Sequence, residues 1–165
     1  MAGYSGTPLP QKLGIKVGAR VGLIAAPAGF ERTLGALPLG AKASDGARGA
    51  SPLDVIVCFA GSRAELARLV PKAQARLDPN GGLWVCWPKK ASGVATDLTE
   101  TDVRTLGLKL GLVDNKVCAV DEVWSGLRLV VRVSDRPKPA SSKRSVKSET
   151  SEKTAIRKAA RRPKK

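Results

Sequence analysis

The chain has 165 residues, with 29 Lys and Arg against 14 Asp and Glu and no His, a formal net charge of +15 at pH 7. That length suits a single domain with one hydrophobic core, and the lack of His removes the commonest general base and metal ligand. The charge is uneven: residues 135–165 hold 12 basic and 3 acidic residues, a net +9, leaving 17 basic and 11 acidic, a net +6, for residues 1–134.

Residues 19–25 (ARVGLIA) form a continuous apolar run ending in Ala26-Pro27-Ala28-Gly29, which predicts a buried strand entering a turn. Residues 30–37 leave room for a short helix, and in the Gly-, Ala- and Ser-rich stretch 38–52 only residues 41–44 pass for a weak strand. The run from Leu53 to Phe59 (LDVIVCF) carries β-branched and aromatic residues without polar alternation, as a strand covered on both faces does, and belongs in the middle of a sheet. Ser62 and Glu65 have capping-box spacing, after which Leu66, Leu69, Val70, Ala73 and Leu77 repeat at helical spacing. Pro71 lies inside this helix and is predicted to bend it, because it removes a backbone donor. Asp78-Pro79-Asn80-Gly81-Gly82 predicts the turn that ends it.

Residues 83–87 (LWVCW) read as the next buried strand, followed by the loop 88–93. Thr99 and Asp102 form a second capping pair, and Val103, Leu106 and Leu110 mark a helix face that stops at Gly111. Residues 116–120 and 127–133 then read as two strands of a hairpin joined through Trp124-Ser125-Gly126. Strands alternating with helices predict an α/β fold: a mainly parallel, Rossmann-like sheet with helices on both faces and an antiparallel hairpin at one edge. That domain covers residues 1–133.

Residues 134–165 interleave Pro and Ser with Lys and Arg and contain no aromatic residue, so a disordered basic tail is expected, with a transient helix over 151–160 at most. Lys143, Arg144, Lys147, Arg157, Lys158, Arg161, Arg162, Lys164 and Lys165 are its candidate contacts to nucleic acid or another polyanion. Without interleaved aromatics, such contact attracts phosphates and reads no sequence. Solubility alone is the competing explanation.

Cys58, Cys86 and Cys118 are far apart, each in an apolar run, and no pair has metal-ligand spacing; reduced core thiols and no metal are expected. The N-terminus lacks the charged start and long apolar stretch of a secretory signal, and no run reaches membrane-spanning length, so a cytoplasmic protein without a membrane partner is expected.

Four phrases, Ala2-Gly3-Tyr4-Ser5-Gly6-Thr7-Pro8-Leu9, Lys12-Leu13-Gly14-Ile15-Lys16, Trp87-Pro88-Lys89-Lys90-Ala91-Ser92-Gly93 and Lys116-Val117-Cys118-Ala119-Val120-Asp121-Glu122, resemble in order a bacterial family known as domain-of-unknown-function family 3052. The element order also resembles a trimmed class I methyltransferase. Residues 53–87 are similar to that fold's fourth strand, following helix and fifth strand, with Pro79-Asn80-Gly81-Gly82 in place of its Pro-Gly-Gly turn. The resemblance implies a methyltransferase-like fold and, in members that bind S-adenosylmethionine, an acidic-Gly-x-Gly-x-Gly turn after the first strand. Here that stretch is Ala25-Ala26-Pro27-Ala28-Gly29, in which only Gly29 fits. The implied carboxylate for the ribose hydroxyls should end a second strand, where Asp45 is a poor candidate, and Ala60-Gly61-Ser62 replaces the Asn-Pro-Pro-aromatic motif of amino-methylating members.

The loop after Trp87 is the most distinctive candidate ligand site, since open α/β sheets bind ligands beyond the carboxyl ends of their strands. Lys89 and Lys90 supply charge, and Ser92 and Gly93 a hydroxyl and a backbone donor suited to phosphate or carboxylate. Gly29 and Trp87 complete this set, while Trp84, three residues from Trp87, faces the other way toward the core. Asp121 and Glu122 are adjacent, so they do not converge on one substrate atom, and no catalytic residue is assigned. These residues favour a non-enzymatic binding or regulatory module that needs no cofactor. The alternative is a methyltransferase-like enzyme, or a sensor of nucleotide or S-adenosylmethionine, with a degenerate glycine-rich turn.

Overall fold

A computed structural model describes residues 6–46 and 51–137. The chain divides into two units, Met1–Asp135 and Arg136–Lys165. All nine candidate tail cations lie outside the described residues.

The first unit is built on a six-stranded sheet in the order β2-β1-β3-β4-β6-β5. Its strands are β1 (Arg20–Ile24), β2 (Lys42–Asp45), β3 (Leu53–Phe59), β4 (Leu77–Pro88), β5 (Leu112–Ala119) and β6 (Trp124–Val131). β1 pairs in parallel with β2 and β3, and β3 with β4. β6 runs antiparallel to both β4 and β5, so the hairpin closes one edge. The helices are α1 (Leu9–Lys12), α2 (Phe30–Leu34), α3 (Arg63–Ala75) and α4 (Glu100–Lys109).

Two apolar clusters occupy the two faces. One packs Leu66, Leu69, Val70 and Ala73 of α3 and Val103 of α4 on Ile56, Cys58, Val85 and Leu127. The other packs Leu9 and Leu13 from the α1 region and Phe30 and Leu34 of α2 on Val55, Val57, Phe59 and Trp84. β3 is buried at every position but Asp54, because helices cover both of its faces. Trp84 and Trp87 fall in opposite clusters, as their odd spacing on a strand requires. The buried Trp84 indole Nε1–H donates to the Leu13 carbonyl at 2.9 Å, tying the end of α1 to the centre of the sheet.

Both capping signals operate. Thr99 accepts from Asp102 N–H while the Asp102 carboxylate accepts from Thr99 N–H at 2.9 Å. Partial desolvation pushes the Asp102 pKa up, but the Thr99 backbone and hydroxyl donors and the Arg63 guanidinium outweigh it and hold it below the usual value. Ser62 caps α3 by accepting from Glu65 N–H, whereas the Glu65 carboxylate accepts from Gly61 N–H, one residue before the expected partner. α3 runs through Pro71; the carbonyl it deprives of a donor belongs to Ala67 on the exposed side of the helix, where water can serve it.

Three element boundaries differ from expectation. Leu77 leaves the helix and opens β4, pairing with Leu53. The expected turn at 78–82 lies inside β4 as a bulge: Leu53 pairs with Leu77 and Val55 with Gly82, and the intervening residues loop out around an Asn80 N–H bonded to Asp78 Oδ1 at 2.8 Å. The hairpin turn falls at 120–123, not at Trp124-Ser125-Gly126, which pair with β4 in β6. Asp121 decides this, because its Oδ1 accepts from the N–H groups of both Val123 and Trp124 at 2.8 Å.

Among the described residues no helix is long and apolar enough to cross a membrane. None of their His, Cys, Asp and Glu side chains form a group of three or more able to hold a metal.

Candidate functional site

After β1 the chain turns through α2 to β2 on one side, and after β3 it turns through α3 to β4 on the other. The crevice between the carboxyl ends of β1 and β3 is therefore the topological switch point, the general ligand position of open α/β sheets. On the β1 side it is formed by Ala25, Ala26, Pro27, Ala28 and Gly29. Gly29 adopts φ 79°, and Ala25 adopts φ 55°, a left-handed conformation that costs a non-glycine residue about 1 kcal/mol. The backbone thus keeps a tight turn that its side chains do not favour. β2 does form, and Asp45 is its last residue, in register with Leu23 of β1. Residues 42–45 are exposed throughout, so β2 holds its place by the ladder with β1 and lacks the apolar signature that marks a buried strand.

On the β3 side, Ala60 N–H donates to Cys86 O and Gly61 N–H to Glu65. The segment after the Lys89 loop returns over this corner: Thr96 Oγ1 donates to Gly61 O at 2.7 Å, and Asp97 Oδ1 accepts from Arg63 N–H at 2.8 Å. The carboxyl ends of β3 and β4 are in this way laced together by polar groups that take backbone partners.

The sequence-assigned residues do not form one cluster. Gly29 follows β1 and the Lys89 loop follows β4, two strand spacings or about 10 Å apart across β3. Trp87 turns into the α3–α4 cluster at 7% exposure. Lys89 is half-buried with its N–H on Val123 O at 2.7 Å, and Lys90 is exposed. Ser92 Oγ donates to Lys89 O at 2.6 Å and accepts from Val94 N–H, and Gly93 N–H donates to Lys90 O.

Asp121 caps the hairpin turn with its carboxylate. The three cysteines are free thiols, two buried and Cys118 half-buried. Burial pushes the Cys58 thiol up to about 12, with the Glu65 carboxylate adding to it, and raises Cys86 well above its ordinary value. Neither is a nucleophile near neutral pH.

The chain matches no protein-family model and no curated protein sequence. Solved structures do match. TrmN from Thermus thermophilus aligns at 12% identity with a TM-score of 0.53, over 75% of this chain and 47% of its own; this chain spans about half the length of that protein. A SAM-dependent methyltransferase from Aquifex aeolicus aligns at 15% identity and TM-score 0.50, over 74% of this chain and 87% of its own. Fibrillarin from Aeropyrum pernix, solved with natively bound S-adenosyl-L-methionine, aligns at 14% and 0.50, over 78% and 71%. The fold is methyltransferase-like. Identities this low carry the fold and nothing of the chemistry. The six strands here reproduce the expected mainly parallel sheet with its terminal hairpin.

As a four-residue exposed edge strand, β2 has no hydrophobic pattern to announce Asp45 at its end; Gly46, which follows, is its one local signal. The lacing by Thr96 and Asp97 had none, since each partner lies more than thirty residues away.

Proposed function

We propose that the first unit is a non-catalytic binding module on a methyltransferase-like scaffold, and that the cationic C-terminal segment adds nonspecific contact to nucleic acid. One observation carries the reading. The β1 side of the switch-point crevice presents Ala25, Ala26, Pro27, Ala28 and Gly29, without a polar side chain, while Ser62, Glu65, Thr96 and Asp97 at the β3 side are bonded to backbone. General acid–base or nucleophilic chemistry needs a polar group aimed at the reacting atom, and these are aimed at the scaffold. The four sequence phrases likewise support membership of domain-of-unknown-function family 3052.

The competing reading, a sensor or enzyme that takes S-adenosylmethionine or a nucleotide, draws on Asp45 at the end of β2, the position from which Rossmann-type sheets hold ribose hydroxyls. Thermal unfolding with S-adenosylmethionine, S-adenosylhomocysteine and nucleotides separates the two. A ligand at a hundred times its Kd stabilises by about 2.7 kcal/mol. The module reading expects no rise in Tm across the adenosyl and nucleotide panel, and a saturating rise with S-adenosylmethionine overturns it. The tail is tested separately by nucleic-acid binding across a salt series, where affinity should fall steeply and be lost on truncation after Asp135. Binding unchanged by truncation removes the tail from the proposal.

A further inference from the structure

The amino edge of the sheet carries an exposed apolar surface that the fold itself does not use. Two loops run side by side there, residues 13–19 before β1 and residues 35–41 before β2. Gly18 N–H donates to Leu39 O at 2.9 Å, and Lys42 N–H donates to Ala19 O at 3.0 Å. The backbones close on each other through Gly18 and Gly40, both at positive φ; a Cβ on Gly40 would lie 3.6 Å from the Gly18 Cα. Ala19 N–H to Lys16 O and Ala41 N–H to Pro38 O complete the frame within each loop. Both loops are thus held by backbone bonds, and yet they present Val17 at 71% and Leu39 at 84% exposure.

Beside these two side chains, Pro8, Pro10, Ile15, Leu37 and Pro38 line a groove of about 360 Å³. Isolated exposed apolar side chains are ordinary, but held tips adjoining an apolar groove form a patch of the kind that marks an interaction surface. Charge says what fits it. Residues 6–44 hold five basic residues, Lys12, Lys16, Arg20, Arg32 and Lys42, against the single carboxylate of Glu31, a net +4. Glu31 lies in the first turn of α2, toward the carboxyl edge and away from the tips. Lys16 and Lys42 flank the tips, are exposed, and have no ion-pair partner among the described residues. A second copy of this chain would bring the same cations to the contact, and they repel. The lining has no aromatic ring on which a base could stack, and a concave groove takes inserted side chains, which a bilayer surface does not offer.

We propose that this amino-edge surface docks an acidic segment of a partner protein, with an apolar side chain in the groove, further apolar contact on Val17 and Leu39, and carboxylates on Lys16 and Lys42. The surface is separate from the switch-point crevice. It stands whatever that crevice or the C-terminal segment binds.

The test is an amide NMR titration of the ¹⁵N-labelled full chain with a capped peptide of two Leu flanked on each side by three Glu, and with its counterpart in which Lys replaces each Glu. The Val17, Gly18 and Leu39 amides should shift and saturate with the Glu peptide and stay in place with the Lys peptide. Leu39→Asp, at an exposed position that keeps the dispersed spectrum of a folded domain, should weaken that binding about tenfold or more. Lys16→Glu should weaken it severalfold and leave less salt dependence behind. The proposal is overturned if the Glu peptide moves only residues beyond Asp135, or if the Lys peptide moves Val17 and Leu39 equally. It is also overturned if Leu39→Asp leaves the titration unchanged, or if phosphatidylglycerol vesicles broaden these amides while the Glu peptide leaves them unmoved.

Discussion

Replacing Trp84 by Phe tests how the N-terminal segment is held to the sheet. The indole is fully buried, and its N–H is the donor to the Leu13 carbonyl. Phenylalanine leaves that carbonyl without its donor, which costs about 1–3 kcal/mol. Losing the five-membered part of the ring removes about 1 kcal/mol of transfer free energy. The gap left, roughly 35 Å³, adds a little under 1 kcal/mol at about 24 cal/mol per Å³. The expected loss is about 3–5 kcal/mol, equivalent to a fall in Tm of about 10–20 °C for a domain of this size. Urea unfolding followed by far-UV circular dichroism measures it. Hydrogen exchange at the amides of Leu13 and Ile15 should accelerate in parallel, since these residues dock through α1. A loss under about 1.5 kcal/mol with unchanged exchange at Leu13 would show that the indole does not anchor this segment.

Further expectations address the hairpin, the caps and the thiols. Gly126 sits where a Cβ would lie 3.1 Å from the Trp84 ring and 3.4 Å from Cys86 Sγ, so Gly126→Ala should cost about 1–3 kcal/mol in chemical denaturation; a neutral result would mean that the β4–β6 pair relaxes freely. Thr99→Ala removes the α4 cap and should cost about 1 kcal/mol, read as a fall in Tm of about 4 °C. Cys58 and Cys86 have folded-state values raised above that of an unfolded thiol, which favours the protonated form in the fold. The Cys58 contribution is complete below about pH 9 and is lost as the pH climbs toward 12, so stability should decline over that window by about 1.4 kcal/mol per pH unit from this thiol, with Cys86 acting in the same direction. Thiol labelling at pH 8 should modify half-buried Cys118 first and leave the other two protected until the domain unfolds; equal rates for all three would contradict their burial.

Local chemistry made much of this domain legible before its structure. Residues 53–59 read as a central strand because an unbroken β-branched run has nowhere to go but between two covering layers, and that is where β3 lies. The Thr99 and Ser62 caps were visible because their partners lie three residues away. The alternation of strands and helices was enough to imply a parallel sheet, and the two late strands its antiparallel edge.

Other features depend on where distant segments meet. Asp78-Pro79-Asn80-Gly81-Gly82 has the composition of a turn, but β3 pairs on both sides of it, so the same local bend became a bulge within a strand. The packing of Trp87 against α3 and α4, and the bonds by which Ser92 and Gly93 turn back on Lys89 and Lys90, likewise exist only once the chain has folded. Asp45 acquires its position only through the ladder with Leu23. Short-range hydrogen bonding and hydrophobic period are written in neighbouring residues, so the sequence by itself determined the elements, the fold class and the uneven charge. A site is a meeting of residues remote in the chain, so strand order and loop closure decided which side chains face a ligand and which were consumed in holding the scaffold together.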